Sequence, residues 1–249
     1  MIISVINHTN GLVSDSEAQK AISAVNRQIS EHFEPYWSMG ARLRLDGRTV
    51  DMPDKVGTPD MRGGAVLYLW DESDLPNAAG YHSLNFKGVP YSFVFVQPAS
   101  TEWTVTLSHE ALEMIADPDV NLLAVGPHPN DSNRVALFAY EVADAVQSDT
   151  YEIEGIKVSN FVLPLYFTSE DEYDGRNDFL GKKHNGETLR SFGVNPGAYM
   201  PYFDLEAGEW KQVFGKGAEE IWKKKNRLGL LRRGARYEKL AASFKKEKT

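Results

Sequence analysis

Apolar residues recur along this chain at two periods, and the period changes from segment to segment. Ile2 to Ile6 is a compact, mostly apolar run, the pattern of a buried strand. Ser14-Asp-Ser-Glu17 then fits a capping box. Behind it Ala18, Ile22, Val25, Ile29 and Phe33 return at helical spacing, with Pro35 as the expected stop. Ala41 to Leu45 alternates apolar residues with arginine, as a half-buried strand does. Gly63-Gly64 introduces the strand Ala65-Val-Leu-Tyr-Leu-Trp70. Tyr81 to Leu84 and Val89 to Val96 flank Lys87-Gly88, which predicts a hairpin.

The segment Thr104 to Pro118 returns to helical spacing and differs from the first helix. Its polar stripe is Thr106, His109, Glu110, Glu113 and Asp117, while Trp103, Val105, Leu107, Ala111, Leu112, Met114, Ile115 and Ala116 cover most of the girth. A helix that is apolar nearly all round is buried. Charged residues on it then need partners, because an unpaired buried charge is costly. A bound cation would supply one. Beyond it come a polar loop, Gly126 to Arg134, then Tyr140-Glu-Val-Ala-Asp144, then a hairpin over Tyr151 to Phe161. Ser169 to Gly186 reads as loop, and Gly193 to Phe214 as a small aromatic-rich closing unit. The pattern predicts an α+β fold with a mixed sheet, organised as a domain over 1–168, a closing subdomain over 169–215 and a tail over 216–249.

Composition changes this picture in two places. The 249 residues, 42% hydrophobic and 25% charged, suffice for a sizeable core. There are no cysteines, which excludes disulfides and thiolate ligands, so a metal must be held by His, Asp, Glu or carbonyl groups. The N-terminus lacks the basic and long apolar regions of a signal peptide, and no apolar run approaches the ~18 residues of a membrane span. A soluble, cytoplasmic protein is the expectation. The net charge of −8 conceals an asymmetry: Lys216 to Thr249 carries 12 Lys and Arg against 4 Glu, or +8, leaving 15 against 31 in the body, or −16.

The candidate chemistry lies in His109-Glu110-x-x-Glu113. Residues four apart on a helix share a face, so His109 and Glu113 can aim an imidazole and a carboxylate at one metal ion, with Glu110 beside them. This is the zinc-helix motif with a carboxylate in place of the second imidazole. A catalytic zinc takes three protein ligands and a water. The third must come from chain folded back over the helix, and Glu141 and Asp144 are the candidates. With zinc bound, Glu110 would act as general base on the metal-bound water. Two carboxylates and one imidazole would cancel the charge of a divalent ion, which leaves the water less acidic and admits harder ions such as manganese or calcium.

Ser108-His-Glu-Ala-Leu-Glu-Met-Ile-Ala-Asp-Pro-Asp-Val-Asn121, with Tyr140-Glu-Val-Ala-Asp144 and Val158-Ser-Asn-Phe-Val-Leu-Pro164, resembles a group of poorly characterised bacterial proteins described as zinc metallopeptidase-like. The resemblance runs from about Ile2 to Trp210 and includes Asn26-Arg-Gln-Ile29, Gly80-Tyr-His-Ser-Leu84 and Gly197-Ala-Tyr-Met200. The group often has cysteines where this chain has Ala143 and Ala145. More distantly the chain is similar to plant exordium-like proteins, which have a comparable Ser-His-Glu block and a later Glu-x-x-Asp. The order of elements also resembles zincin-type metallopeptidases. That implies a zincin-like mixed sheet whose strand before the motif helix, within Gly80 to Val96, forms a rim for an extended peptide or protein substrate. Similarity to the gluzincin arrangement implies Glu141 as third ligand and Asp144 as the carboxylate that orients His109, although the two can exchange roles. Similarity to metzincins instead implies Asp119, but Ala116 stands where those proteins need glycine and Pro118 disturbs the turn.

The remaining candidates have simpler explanations to weigh. His82 faces the cleft as a substrate contact or ligand, or hydrogen-bonds at a strand end. His128, in Gly-Pro-His-Pro, overhangs the site or merely rigidifies a loop. Tyr140 or Tyr166 could stabilise an oxyanion, but buried tyrosines beside strands are usually core. Met200 suggests a metzincin Met-turn, yet Met is a common core filler. His8, His32 and His184 read as surface residues. The tail sets Lys223-Lys-Lys225, Arg232-Arg233, Arg236 and Lys245-Lys246 among Trp222, Leu228, Leu230-Leu231, Tyr237, Leu240 and Phe244. It reads as a helical extension docking on its own acidic body or on a protein partner. Nucleic-acid or anionic-membrane contact is disfavoured by the acidic body. Two functions follow: a zinc metallopeptidase, or a catalytically inactive zincin-like binding or structural protein that docks through its tail. Glu110 favours the enzyme, since a scaffold has no use for a base.

Overall fold

The computed structural model describes residues 1–46, 63–73, 79–85, 87–97, 102–168 and 175–218. The tail beyond Ala218 and part of the Ser169 to Gly186 loop lie outside them.

The first strand, β1 (Ile2–His8), leads into helix α1 (Asp15–Arg27). The capping box at Ser14 is formed: its side chain accepts from the Glu17 N–H at 3.2 Å, and Glu17 Oε2 accepts from the Ser14 N–H at 2.8 Å. Pro35 does not stop this helix. The chain widens into a π-helical stretch over Gln28–Phe33 and winds on as α2 (Glu34–Trp37), ending at Ser38 in the left-handed region, φ 53°. Wider winding ahead of Pro35 relieves the clash its ring makes with the carbonyl four residues back in α geometry. The long helical arm is anchored far down the chain, where Gln28 Nε2 donates to Ser159 O at 2.7 Å and Trp37 Nε1 to Val162 O at 3.0 Å.

Strands β2 (Arg42–Leu45), β3 (Ala65–Trp70), β4 (Gly80–Leu84) and β5 (Pro90–Phe95) join β1 in a five-stranded sheet, order β2-β1-β3-β5-β4. All pairings are parallel except β4 with β5, the expected hairpin. On the far side of β2, Asn26 meets Leu43 with both halves of its amide. Its Nδ2 donates to Leu43 O at 2.9 Å and its Oδ1 accepts from Leu43 N at 2.8 Å. One side chain thereby satisfies the backbone groups an edge strand would otherwise offer to another chain.

Alternation sorts the sheet residues into two faces. Ile3, Val5, Leu67, Leu69 and Val94 join the main core with the helices. Ile6, Val66, Tyr68, Tyr81, Phe93 and Phe95 form a second, aromatic cluster on the other face. Helix α3 (Trp103–Ala116) packs on the first face, against β4 and β5, and against β9 (Ile156–Ser159) on its other side. Its residues from Thr106 to Ala116 are all buried, as its apolar girth requires. Burying Leu107, Leu112, Met114 and Ile115 contributes roughly 1.5–3 kcal/mol each. Such a helix is a rigid mount for polar side chains.

Gly126 to Arg134 is not a loop. It lies within the hairpin of β6 (Leu123–His128) and β7 (Asp131–Ala139). The exposed Val125 and Val135 put apolar residues on the wet face of a sheet, which blurs the alternation that would reveal strands. A second sheet, order β11-β10-β7-β6, adds β10 (Tyr199–Asp204) and β11 (Glu209–Phe214). The closing segment thus pairs directly with the body, and the body runs on past Phe214: Lys216 O accepts from Gly197 N at 3.0 Å, and Ala218 is fully buried. The hairpin β8 (Thr150–Ile153) with β9 turns through Glu154 and Gly155, both at positive φ. His8, His32 and His184 are not bare surface groups. They stack on Trp70, meet the Tyr151 hydroxyl at 2.9 Å and meet Asp149 Oδ2 at 2.9 Å, respectively. No helix among the described residues is long and apolar enough to cross a membrane.

Candidate metal centre

Helix α3 presents His109 and Glu113 one turn apart, with His109 Nε2 3.1 Å from Glu113 Oε1. Glu110 points to the side where β4 crosses. The close approach is made at Gly80: a Cβ there would lie 2.6 Å from Thr106 Cγ2 and 2.9 Å from Glu110 Oε1. Because side chains alternate along β4, Gly80 and His82 share the face toward the helix. His82 Nδ1 is 3.3 Å from Glu110 Oε2 and 3.6 Å from Glu113 Oε2.

The third contribution comes from the chain after β7. Glu141 and Asp144 do not sit on an α-helix. Val142 and Ala143 form a turn, and Asp144–Val146 is one turn of 3-10 helix. The turn still brings both carboxylates to the site: Asp144 Oδ1 lies 3.3 Å from His109 Nε2, and Glu141 Oε2 lies 3.7 Å from His82 Nε2. The Ala143 N–H points at Glu113 Oε1 at 3.4 Å. Of the two carboxylates, Asp144 shares His109 and Glu113, whereas Glu141 faces the ring nitrogen of His82 that is turned away from Glu110 and Glu113.

All six groups are 1–8% exposed. Their ligand atoms form two sets, His109 with Glu113 and Asp144, and His82 with Glu110 and Glu113, each within 4.8 Å. Ligands about 2.0–2.1 Å from a tetrahedral ion stand ~3.4 Å apart. The distances around His109, 3.1 and 3.3 Å, match that spacing. His82 Nε2 and Asp144 Oδ1 are buried without a hydrogen bond. Four carboxylates face two imidazoles, so the group stays net negative even with both rings protonated. Taking each ion out of water costs several kcal/mol. The donor set, the spacing and the charge deficit all fit a divalent cation.

The protein without metal responds by holding protons. Burial pushes the Glu113 carboxyl from 4.5 up to about 7, aided by the charges of Asp144 and Glu141 and opposed by His109. Burial disfavours charge on His109, but Glu113 and Asp144 outweigh it and hold the imidazole well above its ordinary range. His82 is raised too: burial opposes it, and Glu141, Glu110 and Glu113 prevail. Between pH 4.5 and about 7 the folded chain keeps a proton on Glu113 that the unfolded chain has lost, so stability falls as pH rises through that window. His109 has the same sign, since its contribution is complete below the ordinary imidazole value and is lost as pH rises through the raised one. A metal bound there would displace both protons, and its affinity would rise with pH. The melting temperature of chelator-treated protein is therefore expected to fall from about pH 5 to 8, and the gap to zinc-loaded protein to widen. A gap that narrows with rising pH would contradict this.

The other candidates are held by contacts of their own, although Tyr166 still feels the charge of Asp144. Asp119 is exposed in the turn beyond α3. Asp117 organises that turn, accepting from the Asn121 and Leu122 N–H groups at 3.0 and 3.1 Å. Tyr140 stacks on Phe167 with ring centroids 4.2 Å apart and meets Trp37 edge-on. Tyr166 donates to Gly193 O at 2.9 Å, and Met200 is core. His128 belongs to another network, 3.4 Å from Asp204 Oδ2, where Arg134 and Lys211 also converge. His82, which the sequence leaves open between a cleft-facing contact and a strand-end hydrogen bond, stands beside Glu110 and Glu113. Alternation along Gly80-Tyr-His-Ser-Leu84 puts Gly80 and His82 on one face of β4, without saying which element that face meets.

No family model and no curated protein matches the sequence. Among solved structures, a chain titled "Structure of a chaperone-substrate complex" is similar at 14% identity and TM-score 0.34, over 52% of this chain and 26% of that chain. The matched stretch is about a quarter of that chain, and a likeness this slight assigns neither fold class nor function.

Proposed function

We propose that this protein is a metal-dependent hydrolase of the zincin-like type, with peptide bonds as its substrate. The observation that carries the reading is the convergence of His109, Glu113 and Asp144 at ligand spacing, with Glu110 beside them beneath the edge strand β4. His109, Glu113 and Asp144 would hold one divalent ion, most simply zinc. When bound, such an ion polarises a carbonyl and lowers the pKa of a coordinated water. Glu110 is the base. It is buried, 3.3 Å from His82 Nδ1, and belongs to the other set of ligand atoms. His82 fixes its carboxylate, and Glu141, 3.7 Å from the opposite ring nitrogen, favours the charged imidazole. β4 ends the first sheet, so an extended peptide can lie along it, with α3 beneath.

The test is metal analysis of protein purified without chelator, followed by incubation with an unbiased peptide library. Stoichiometric metal with cleavage that stops on chelation is expected. Folded, metal-loaded protein that cleaves nothing would favour a binding role, and folded protein without metal under replete conditions would reject the centre.

A further inference from the structure

We propose that the centre takes a second divalent cation, held by His82 Nδ1, Glu110 Oε2 and Glu113 Oε2, with Glu113 bridging the two ions. The inference rests on the metal-centre reading above and deepens it. Glu113 reaches in two directions: Oε1 is 3.1 Å from His109 Nε2, and Oε2 is 3.6 Å from His82 Nδ1. Each oxygen therefore belongs to a different histidine and a different set of donors. That is the posture of a bridging carboxylate, and two-metal hydrolytic sites hold their ions about 3.5–4 Å apart.

Charge supplies the second argument. Glu110, Glu113, Glu141 and Asp144 bring four negative charges into a space where every member is at most 8% exposed. With neutral imidazoles, one divalent ion matches two of those four charges, and two divalent ions match all four. Buried charge is tolerated when paired and is otherwise expensive. The third argument is His82 itself. It is 3% exposed, its Nε2 makes no hydrogen bond, and Glu141 stands 3.7 Å from that nitrogen. Ligating imidazoles commonly have a carboxylate at the ring nitrogen that does not bind the metal, and Glu141 is placed to serve there. The subsite is oxygen-rich, with one imidazole, which suits manganese or zinc.

The second cation would withdraw charge from the Glu110 carboxylate and weaken it as a base. Its occupancy would make the centre self-limiting: one equivalent supports turnover, and the second suppresses it.

The experiment uses the full chain, stripped with chelator and titrated with Zn²⁺ by equilibrium dialysis. A parallel sample loaded with Mn²⁺ is read by electron paramagnetic resonance. The wild type is expected to bind two equivalents, the second more weakly, and His82→Ala to bind one. Doubly loaded Mn²⁺ protein is expected to give the spectrum of a spin-coupled pair, a signature that depends on the bridge and needs no variant to fold. With a cleaved peptide in hand, turnover at two equivalents of Zn²⁺ is expected to drop at least tenfold from that at one. One equivalent in the wild type, or two that are magnetically independent, overturns the bridged subsite and leaves the single-ion reading standing. Turnover that rises with the second equivalent overturns the self-limiting role. No bound metal at all removes both.

Discussion

Glu110→Gln, loaded with one equivalent of zinc, is expected to keep its fold and its metal and to lose about 10²–10⁴-fold in turnover. That range is what a positioned general base contributes. The substitution is nearly isosteric and removes only the capacity to take a proton. Gln keeps the shape of Glu, so the close approach to Gly80, where a Cβ would lie 2.9 Å from the Glu110 oxygen, is preserved. His82 can still meet the side chain across the 3.3 Å that now separates it from Oε2. The measurement is a pair of rates on any peptide found in the library screen, alongside metal content and melting temperature. Equal rates for wild type and variant would remove Glu110 from the chemistry.

His109→Ala is expected to have the largest effect on metal. It removes the imidazole shared by Glu113 and Asp144 and leaves two carboxylates at the first subsite. Bound zinc at that subsite should fall below one tenth of an equivalent at micromolar metal, and cleavage with it. Stability should respond as well, since the carboxylates lose the cation that offset them at neutral pH. The melting temperature of the variant should no longer rise on adding zinc to one equivalent. A variant that keeps stoichiometric zinc and its thermal response would rule out His109 as a ligand.

Asp144→Asn against Glu141→Gln separates two roles that the motif leaves interchangeable. Asp144 stands with His109 and Glu113, and Glu141 with His82. Nothing in Tyr140-Glu-Val-Ala-Asp144 foretells this division: the segment is a turn followed by 3-10 helix. Helical spacing would align the two carboxylates, whereas the turn sends each to a different histidine.

What the sequence determined by itself is local and periodic. The capping box at Ser14, the β4–β5 and β8–β9 hairpins and the buried character of α3 follow from turn chemistry and apolar spacing. So does the shared face of His109 and Glu113, since helical geometry alone puts residues four apart together. Tertiary structure decided the rest. β6 and β7 were invisible as strands because apolar residues such as Val125 and Val135 sit on their wet face and blur the alternation, and β10 identifies them by pairing with β7. Pro35 failed as a stop because the helix could widen ahead of it. His82 became part of the centre only when β4 folded across α3 at Gly80, a contact between segments whose sequences carry no mark of each other. Periodicity fixes which side of an element a residue occupies. Which element that side meets depends on packing over the whole core.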